Sequence, residues 1–229
     1  GGTEHMIYLD SAAMTKPLDV AVKAYYTAPF GNPSSEHNLG QVARTALENA
    51  RYTIAKYLDC EPNEIYFTAT ATEAAAMVAN SAKECGYGIA ATDIEHHAIL
   101  ENAKFATRTG DIAWARMLAN NETGEIIEPL HRISGDLWIC DASAAVGHMR
   151  ISFKKLGWDY LIADAIKFGG VAGAAILIAR TGAPLSPLIR GGGQERGMRS
   201  GTENVPAVCA MAAALEWQVE HMDENVQKI

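Results

Sequence analysis

Hydrophobic and polar positions along the chain alternate between short apolar runs and longer stretches with helical spacing. The clearest helix is Leu39–Leu58, where apolar residues recur every three or four positions. Further helices are predicted at 16–26, 74–84, 97–108 and 206–222. The short runs, typical of buried strands, are Ile7–Leu9, Glu64–Phe67, 88–92, Ala113–Leu118, Leu137–Cys140 and Tyr160–Ala163. This alternation predicts an α/β fold with a mixed but mainly parallel, doubly wound sheet and helices on both faces.

Polar residues ahead of two helices predict how those helices begin. The segment 29–35 is dense in turn formers, and Ser34 or Ser35 can cap the helix that follows. The segment 68–73, TATATE, joins a strand to the helix 74–84. Free backbone N–H groups and the helix dipole make such a turn a natural anion site. The alternative is an ordinary helix cap by Thr72.

Composition and charge narrow the range of partners. The chain has 229 residues, of which 48% are hydrophobic, so it can bury a core as one large domain or two small ones. Its net charge of −8 argues against a nucleic-acid or membrane surface as partner. No apolar run reaches the roughly 20 residues of a membrane span, and no signal peptide is visible. We interpret Gly1–His5 as a cloning remnant ahead of a natural start at Met6.

The cysteines indicate a reducing compartment. Cys60, Cys85, Cys140 and Cys209 lie far apart, with no CxxC pair and no histidine at ligand spacing. A structural zinc site is therefore not expected. We interpret the four cysteines as reduced thiols of a cytoplasmic protein.

An acid and a lysine follow two of the predicted strands. Asp141 ends the run Leu137–Cys140, and Lys167 lies in a glycine-rich setting after Tyr160–Ala163. If the two strands are parallel neighbours, both side chains emerge at the carboxyl edge of the sheet, where ligands bind in open α/β folds. Pyridoxal phosphate needs a lysine for its aldehyde and a carboxylate for its ring nitrogen. A buried Lys–Asp ion pair without a cofactor is the alternative that these two residues leave open.

Two further segments carry candidate chemistry. His96 and His97 open a helix, and because adjacent helical side chains point in different directions, a metal pair is not expected. One of them could face a planar ligand, or both could lie on the surface. The segment 190–204 holds three arginines and five glycines and is either a mobile, phosphate-binding loop or a flexible connector to the helix 206–222.

Eight segments in this order carry a resemblance to a known family. They are IYLDSAA, FGNPSSEHNLG, TATATEA, IEHHAIL, ANNETG, CDASAAVG, ADAIKFGG and GGGQERGMRSGTENVPA. The series resembles the cysteine desulfurases, fold-type I pyridoxal-phosphate enzymes of the class V aminotransferase family, from Ile7 to about Glu216. The resemblance implies that residues 6–229 form a single domain, equivalent to the large domain of that family.

The resemblance implies a role for each matching residue. Lys167 matches the Schiff-base lysine and Asp141 the carboxylate on the pyridine nitrogen. His96 is similar to the histidine that stacks on the ring and relays protons, and Asn121 to the asparagine near the ring hydroxyl. Ala71 and Thr72 correspond to the turn that holds the phosphate of the cofactor. Thr202 resembles the threonine that reaches a phosphate in the other subunit of a homodimer.

Four positions depart from the family pattern. Asp164 replaces a phosphate-binding serine, Ile166 a histidine, Ala144 a glutamine that touches the ring oxygen, and Thr70 a glycine of the phosphate turn. A carboxylate ~4 Å from a phosphate charge costs about 4 kcal/mol at an effective dielectric near 20, roughly a thousandfold in affinity. Asp164 is therefore expected to oppose cofactor binding. Replacing Asp164 by serine is expected to raise the affinity for the cofactor. An alternative is that Asp164 pairs with Lys167 in place of the cofactor.

The family's smaller C-terminal domain has no counterpart in this chain. In the family it carries the nucleophilic cysteine and the arginine that binds the substrate carboxylate, and none of the four cysteines here matches that position. The segment before ANNETG also looks shorter than in the family. Three functions remain. The first is a desulfurase that converts L-cysteine to alanine and passes sulfur to a thiol, with impaired activity alone and with a sulfur-acceptor or complementing protein as partner. The second is a pyridoxal-phosphate domain that performs other amino-acid chemistry, or none until it meets a partner, and the third is a cofactor-free homodimer that binds or scaffolds.

Overall fold

The computed structural model describes residues 7–104, 111–127 and 135–226. The strands are β1 (Ile65–Thr68), β2 (Gly88–Ala91), β3 (Ile112–Met117), β4 (Leu137–Asp141), β5 (Tyr160–Asp164) and β6 (Ala175–Ala179). The helices are α1 (Asp19–Thr27), α2 (Asn38–Leu58), α3 (Ala71–Glu84), α4 (His97–Ala103), α5 (Phe153–Leu156), α6 (Val205–Glu220) and α7 (Met222–Val226). Short 3-10 segments lie at Pro62–Glu64, Ala165–Lys167 and Glu195–Gly197.

The six strands form one sheet in the order β1-β6-β5-β4-β3-β2. The pairs β2–β3, β3–β4 and β4–β5 are parallel, whereas β6 runs antiparallel to both of its neighbours. The predicted mixed but mainly parallel α/β sheet is confirmed. Strand β6 is absent from the prediction, although it is an unbroken apolar run with every residue buried.

Helices cover both faces of the sheet, as predicted. The central strand β5 alternates: Leu161 and Ala163 belong to the core that α1, α2 and α6 cover, and Tyr160 and Ile162 to the core beneath α3 and α4. All four of these residues are at most 1% exposed. Because a strand buried on both faces shows no polar alternation, its sequence is the continuous apolar run seen here.

The first predicted strand is wrong. Ile7–Leu9 has no regular secondary structure, and Ile7 and Leu9 are 80% and 90% exposed. The chain then runs beside the end of β5, where Leu18 N–H donates to the carbonyl of Gly169 at 2.9 Å. This contact holds Leu18 extended, so α1 begins at Asp19 instead of at residue 16.

Both predicted helix caps are wrong by a few residues. Helix α2 is capped by His37, which accepts from the N–H of Gly40, and not by Ser34 or Ser35. Helix α3 is capped by Thr70, whose hydroxyl accepts from the N–H of Glu73 at 3.1 Å. Thr72 therefore lies inside the first turn of α3, which starts three residues before the predicted helix 74–84.

The other boundaries differ little from the predictions. Helix α4 starts at His97, as predicted, and spans His97–Ala103 in the described part of the chain. Its predicted end at residue 108 lies outside the described residues. The predicted helix 206–222 is divided at His221 into α6 and α7. Among the described residues there is no helix with the length and apolar character needed to cross a bilayer.

The arginine-rich segment 190–204 is bonded to the rest of the fold. Glu195 is 5% exposed and receives two hydrogen bonds from Arg51 of α2, at 2.7 and 3.0 Å. Arg196 donates to the carbonyl of Ile65, and Arg199 to the carboxylate of Glu73 at 2.6 Å. Arg196 and Arg199 thus already hold protein acceptors, whereas Arg190 is exposed. Phosphate binding by this segment stays a prediction.

Candidate functional site

A cavity of about 260 Å³ opens at the carboxyl ends of β3, β4 and β5, beside the start of α3. Its walls include all but one of the predicted site residues, namely Ala71, Thr72, His96, Asn121, Asp141 and Lys167. A second cavity of about 400 Å³ adjoins it and shares Ala119, Asn121, Ala144 and Lys167. We call the first cavity the ring pocket.

Asp141 and Lys167 reach the ring pocket from neighbouring parallel strands, as the sequence predicted. Asp141 ends β4 and lies opposite Ile162 of β5, while Lys167 comes three residues after the end of β5. The Oδ1 atom of Asp141 accepts from the N–H of Ser143 at 3.0 Å, which fixes the orientation of the carboxylate. The two side chains are not an ion pair, so the interpretation as a buried Lys–Asp pair is wrong within the described residues.

The backbone around Lys167 is held by the segment that precedes α1. Thr15 Oγ1 donates to the Lys167 carbonyl at 2.8 Å, and His148 Nε2 lies 3.0 Å from the same oxygen. The amine of Lys167 donates to the carbonyls of Ala12 and Ala13, at 2.8 and 3.0 Å. Both acceptors are neutral carbonyl oxygens, and the Lys167 side chain is half-exposed. A ligand can therefore replace these two carbonyls as the partner of the amine.

Asp164 does not pair with Lys167, and that alternative is wrong. Its Oδ2 atom accepts from the N–H of Ala71 at 2.9 Å, and its Oδ1 from the N–H of Ile166 at 3.3 Å. The carboxylate thus joins the end of β5 to the first residue of α3. It is 8% exposed and lines the ring pocket at that end.

His96 enters the ring pocket as the cap of α4 and not from within the helix. Its Nδ1 atom accepts from the N–H of Ala98 at 3.1 Å. In the neutral ring the proton is then on Nε2, the nitrogen that remains for a ligand. The His96 and His97 rings lie 6.4 Å apart, and in the described part of the chain no three His, Cys, Asp or Glu side chains are grouped to hold a metal.

The ANNETG loop places Asn121 between the two cavities. Its preceding residue, Asn120, is 8% exposed and accepts from the N–H groups of Glu122 and Thr123 at 2.8 and 3.0 Å. Asn120 N–H in turn donates to the Glu125 carbonyl at 2.9 Å. Because Asn120 closes the turn, Asn121 is free to line both cavities.

Thr202 is the predicted site residue that the fold does not bring to the ring pocket. It is exposed and lies beside Arg199 and Glu203 at another depression of the surface. Its predicted contact with the phosphate site of a second subunit stays a prediction.

Sequence reasoning missed Ser143 and His148. The hydroxyl of Ser143 is buried at the ring pocket wall without a hydrogen-bond partner among the described residues. His148 supports the Lys167 backbone, as described above. Both lie within eight residues after Cys140 in the CDASAAVG region, so a search of every polar side chain around Asp141 would have found them.

Glu95 is a buried carboxyl group beside the site. It is 4% exposed, and its Oε1 atom accepts from Met117 N–H and Thr92 Oγ1, both at 2.9 Å. Its Oε2 atom has no partner among the described residues. Burial, with a smaller contribution from the charge of Asp141, raises the pKa of Glu95 above its usual range.

Replacing Glu95 by glutamine is expected to make stability less dependent on pH. A carboxyl group with a raised folded pKa stabilises most below its unfolded pKa, and this stabilisation is lost as the pH rises through the folded pKa. The free energy of unfolding of the variant should therefore rise relative to the wild type above pH ~4.5, by about 1.4 kcal/mol for each unit of pKa difference. Urea denaturation across this pH range measures it. A difference that does not change with pH would contradict the prediction.

The two ends of the ring pocket differ in how well they suit pyridoxal phosphate, the cofactor that the resemblance implies. Asp141, Lys167 and His96 are groups that a pyridoxal ring and aldehyde need. At the other end, the N–H of Ala71 is taken by the Asp164 carboxylate, and the Ile166 side chain has no donor. The residues fit the ring and aldehyde but do not fit the phosphate.

Comparison with known proteins agrees with the fold. The family profile described as Aminotransferase class-V matches residues 7–124 and 115–229. A protein of Dictyoglomus turgidum named Cysteine desulfurase IscS is 36% identical over 262 positions, which cover 97% of this chain. That alignment is longer than this chain, so the relative has residues within the aligned region that are absent here. The chain spans about two thirds (66%) of the relative's length.

The solved structures of two NifS-like proteins superpose closely on this chain. One named NifS-like protein is 33% identical with a TM-score of 0.87, covering 96% of this chain and 72% of its own. The NifS-like protein from Rickettsia africae ESF-5 is 26% identical with a TM-score of 0.88, covering 98% of this chain and 74% of its own. Sequence profile, relatives and fold agree, and the chain therefore belongs to the class-V aminotransferase family.

Proposed function

We propose that this chain is the ligand-binding domain of a cysteine-desulfurase-type enzyme that acts on L-cysteine, gives alanine and passes sulfur to a thiol. The observation that carries the proposal is the convergence of Lys167 and Asp141 from neighbouring parallel strands on one pocket. The relative named cysteine desulfurase supports the choice of reaction. A pyridoxal-type aldehyde, when bound, supplies the electron sink that such chemistry needs.

Three side chains have distinct tasks in this proposal. The Lys167 amine, which here donates to two neutral carbonyls, is the group that would hold the aldehyde end of the ligand. The Asp141 carboxylate, fixed by Ser143 N–H, is the group that would hold the ring nitrogen and favour its protonated form. His96, whose Nδ1 is taken by the Ala98 N–H, would offer its Nε2 atom to a ring held in the pocket as the group that moves a proton.

The sulfur-accepting thiol comes from outside the four cysteines of this chain. None of them lines the ring pocket where the structure is described, and Cys60 and Cys140 are buried. Burial raises the pKa of Cys60 to about 12 and that of Cys140 well above its usual range. Since the thiolate is the nucleophile, these two thiols are unreactive. The proposal therefore includes a sulfur acceptor on another segment or protein.

The proposed functional unit is a homodimer in the cytoplasm. The exposed position of Thr202, away from the ring pocket of its own chain, is compatible with a contact to the pocket of a second copy. All four cysteines are free thiols, which supports a reducing compartment.

Retention of an aldehyde by Lys167 tests the proposal. The protein is incubated with excess pyridoxal phosphate or 5-deoxypyridoxal, desalted, and its visible absorbance recorded. We expect a retained band with at least one aldehyde, complete loss of the band in Lys167→Ala, and no loss in Lys155→Ala, which removes an exposed lysine away from the pocket. Sulfide release from L-cysteine with an added dithiol then tests the reaction.

Two results would contradict the proposal. A band that survives in Lys167→Ala would mean that the aldehyde reacts with surface lysines. No band with either aldehyde would favour the cofactor-free homodimer as the function of this chain.

A further inference from the structure

The Asp164 carboxylate occupies the place where an anion would bind at the start of α3. It is 8% exposed, ends β5, and takes the N–H of Ala71 at 2.9 Å. Its second oxygen takes the N–H of Ile166 at 3.3 Å, so both oxygens are held in the protein. The carboxylate is therefore positioned by two separate elements and is part of the pocket wall.

Other protein acceptors use the neighbouring N–H groups of the same turn. Glu73 Oε2 accepts from the N–H of Ala69 at 2.9 Å, and Thr70 Oγ1 accepts from the N–H of Glu73 at 3.1 Å. The N–H groups of Ala69, Ala71 and Glu73 in this turn therefore already have protein acceptors.

The charges at this end of the pocket also disfavour a phosphate. The Glu73 carboxylate is paired with Arg199 at 2.6 Å, whereas the described residues include no ion pair to Asp164 within 4.0 Å. A bound phosphate would lie against an unpaired carboxylate. At about 4 Å and an effective dielectric near 20, each unit of like charge lowers affinity roughly a thousandfold.

We propose that Asp164 replaces the phosphate of the ligand, so that the ring pocket selects a pyridoxal-type aldehyde without a phosphate over pyridoxal phosphate. This inference rests on the proposed function, because it assumes that the pocket holds a pyridoxal-type ring. Ile166 agrees with it, since an apolar side chain at this end suits a methyl substituent. Asp164 is thus the residue that determines which form of the ligand binds.

Competing affinities of two aldehydes test this selection. The probes are pyridoxal phosphate and 5-deoxypyridoxal, which has the same ring and aldehyde, lacks the phosphate and cannot close a hemiacetal. In the wild type we expect 5-deoxypyridoxal to bind at least about tenfold more tightly. Asp164→Ser should tighten pyridoxal phosphate by roughly a hundredfold to a thousandfold and change 5-deoxypyridoxal by less than about threefold.

Two further variants separate the charge from the shape of the side chain. Asp164→Asn removes the charge but keeps an oxygen on the Ala71 N–H, so it should tighten pyridoxal phosphate, though less than serine does. Asp93→Asn removes an exposed carboxylate outside the ring pocket and should leave both affinities unchanged. Circular dichroism of each variant confirms that it is folded.

Inorganic phosphate gives a readout that does not depend on Lys167. It should raise the Tm of Asp164→Ser and leave that of the wild type unchanged, because a ligand stabilises only the folded state that binds it. An equal effect on both proteins would overturn the role of Asp164.

The failure of this inference differs from the failure of the proposed function. Tighter wild-type binding of pyridoxal phosphate than of 5-deoxypyridoxal, or a ratio unchanged in Asp164→Ser, overturns the selection by Asp164 and leaves the proposed function standing. No Lys167-dependent band with either aldehyde overturns the proposed function and, with it, the inference.

Discussion

Replacing Arg51 by alanine is expected to lower the free energy of unfolding by about 3–5 kcal/mol, because it leaves the Glu195 carboxylate buried without its cation. The two side chains are 3% and 2% exposed, and two hydrogen bonds of 2.7 and 3.0 Å join them. Arg51 also donates to the Ile65 carbonyl at 2.8 Å and lies 4.4 Å from the centre of the Phe67 ring. Urea denaturation measures the loss.

An exposed arginine provides the matched control for Arg51. Arg150 also forms an ion pair, with Asp223 at 3.1 Å, but the two side chains are 63% and 81% exposed. Because water solvates these charges, Arg150→Ala should change stability very little. A loss for Arg51→Ala no larger than that for Arg150→Ala would show that the buried pair does not hold the segment after β6 against the sheet.

The second large effect is expected for Gly147→Ala, with a loss of about 2–5 kcal/mol, the sum of a backbone cost and a packing cost. Gly147 has φ +82°, a conformation that costs an L-residue roughly 1–2 kcal/mol. A Cβ atom there would also lie 2.5 Å from Cβ of Phe168, which is fully buried, and such overpacking costs about 1–3 kcal/mol. Thermal or urea denaturation of the variant measures the sum.

A second glycine separates the two causes. Gly157 has φ +69°, and a methyl group on its Cα would meet no atom within 4 Å, so Gly157→Ala should show the backbone cost alone. Since Phe168 follows Lys167, the displacement in Gly147→Ala should also weaken 5-deoxypyridoxal binding, which Gly157→Ala should not. Equal losses of stability in the two variants would mean that the Phe168 side chain moves aside without cost.

The relation between sequence and fold is clearest in the strands. The run Tyr160–Ala163 is buried on both faces, so its apolar character alone identifies a central strand. Ile7–Leu9 has the same character but is exposed, because a short apolar run does not reveal whether a sheet edge is available to pair with it. Strand β6 inserts antiparallel between β5 and β1, a pairing between distant segments that local periodicity does not encode.

For the candidate site, too, part of the arrangement could be predicted from the sequence and part could not. The convergence of Asp141 and Lys167 could be predicted from the sequence, because residues that follow neighbouring parallel strands must share one edge of the sheet. The contacts of each side chain could not, since they come from the three-dimensional packing. That packing directs Asp164 to the N–H of Ala71 and the Lys167 amine to the carbonyls of Ala12 and Ala13, partners that lie 93, 155 and 154 positions away in the chain. Hydrogen bonds are short-range and directional, so these partners depend on the packing of the whole domain, whereas the positions of the strand ends follow from local pattern and connectivity.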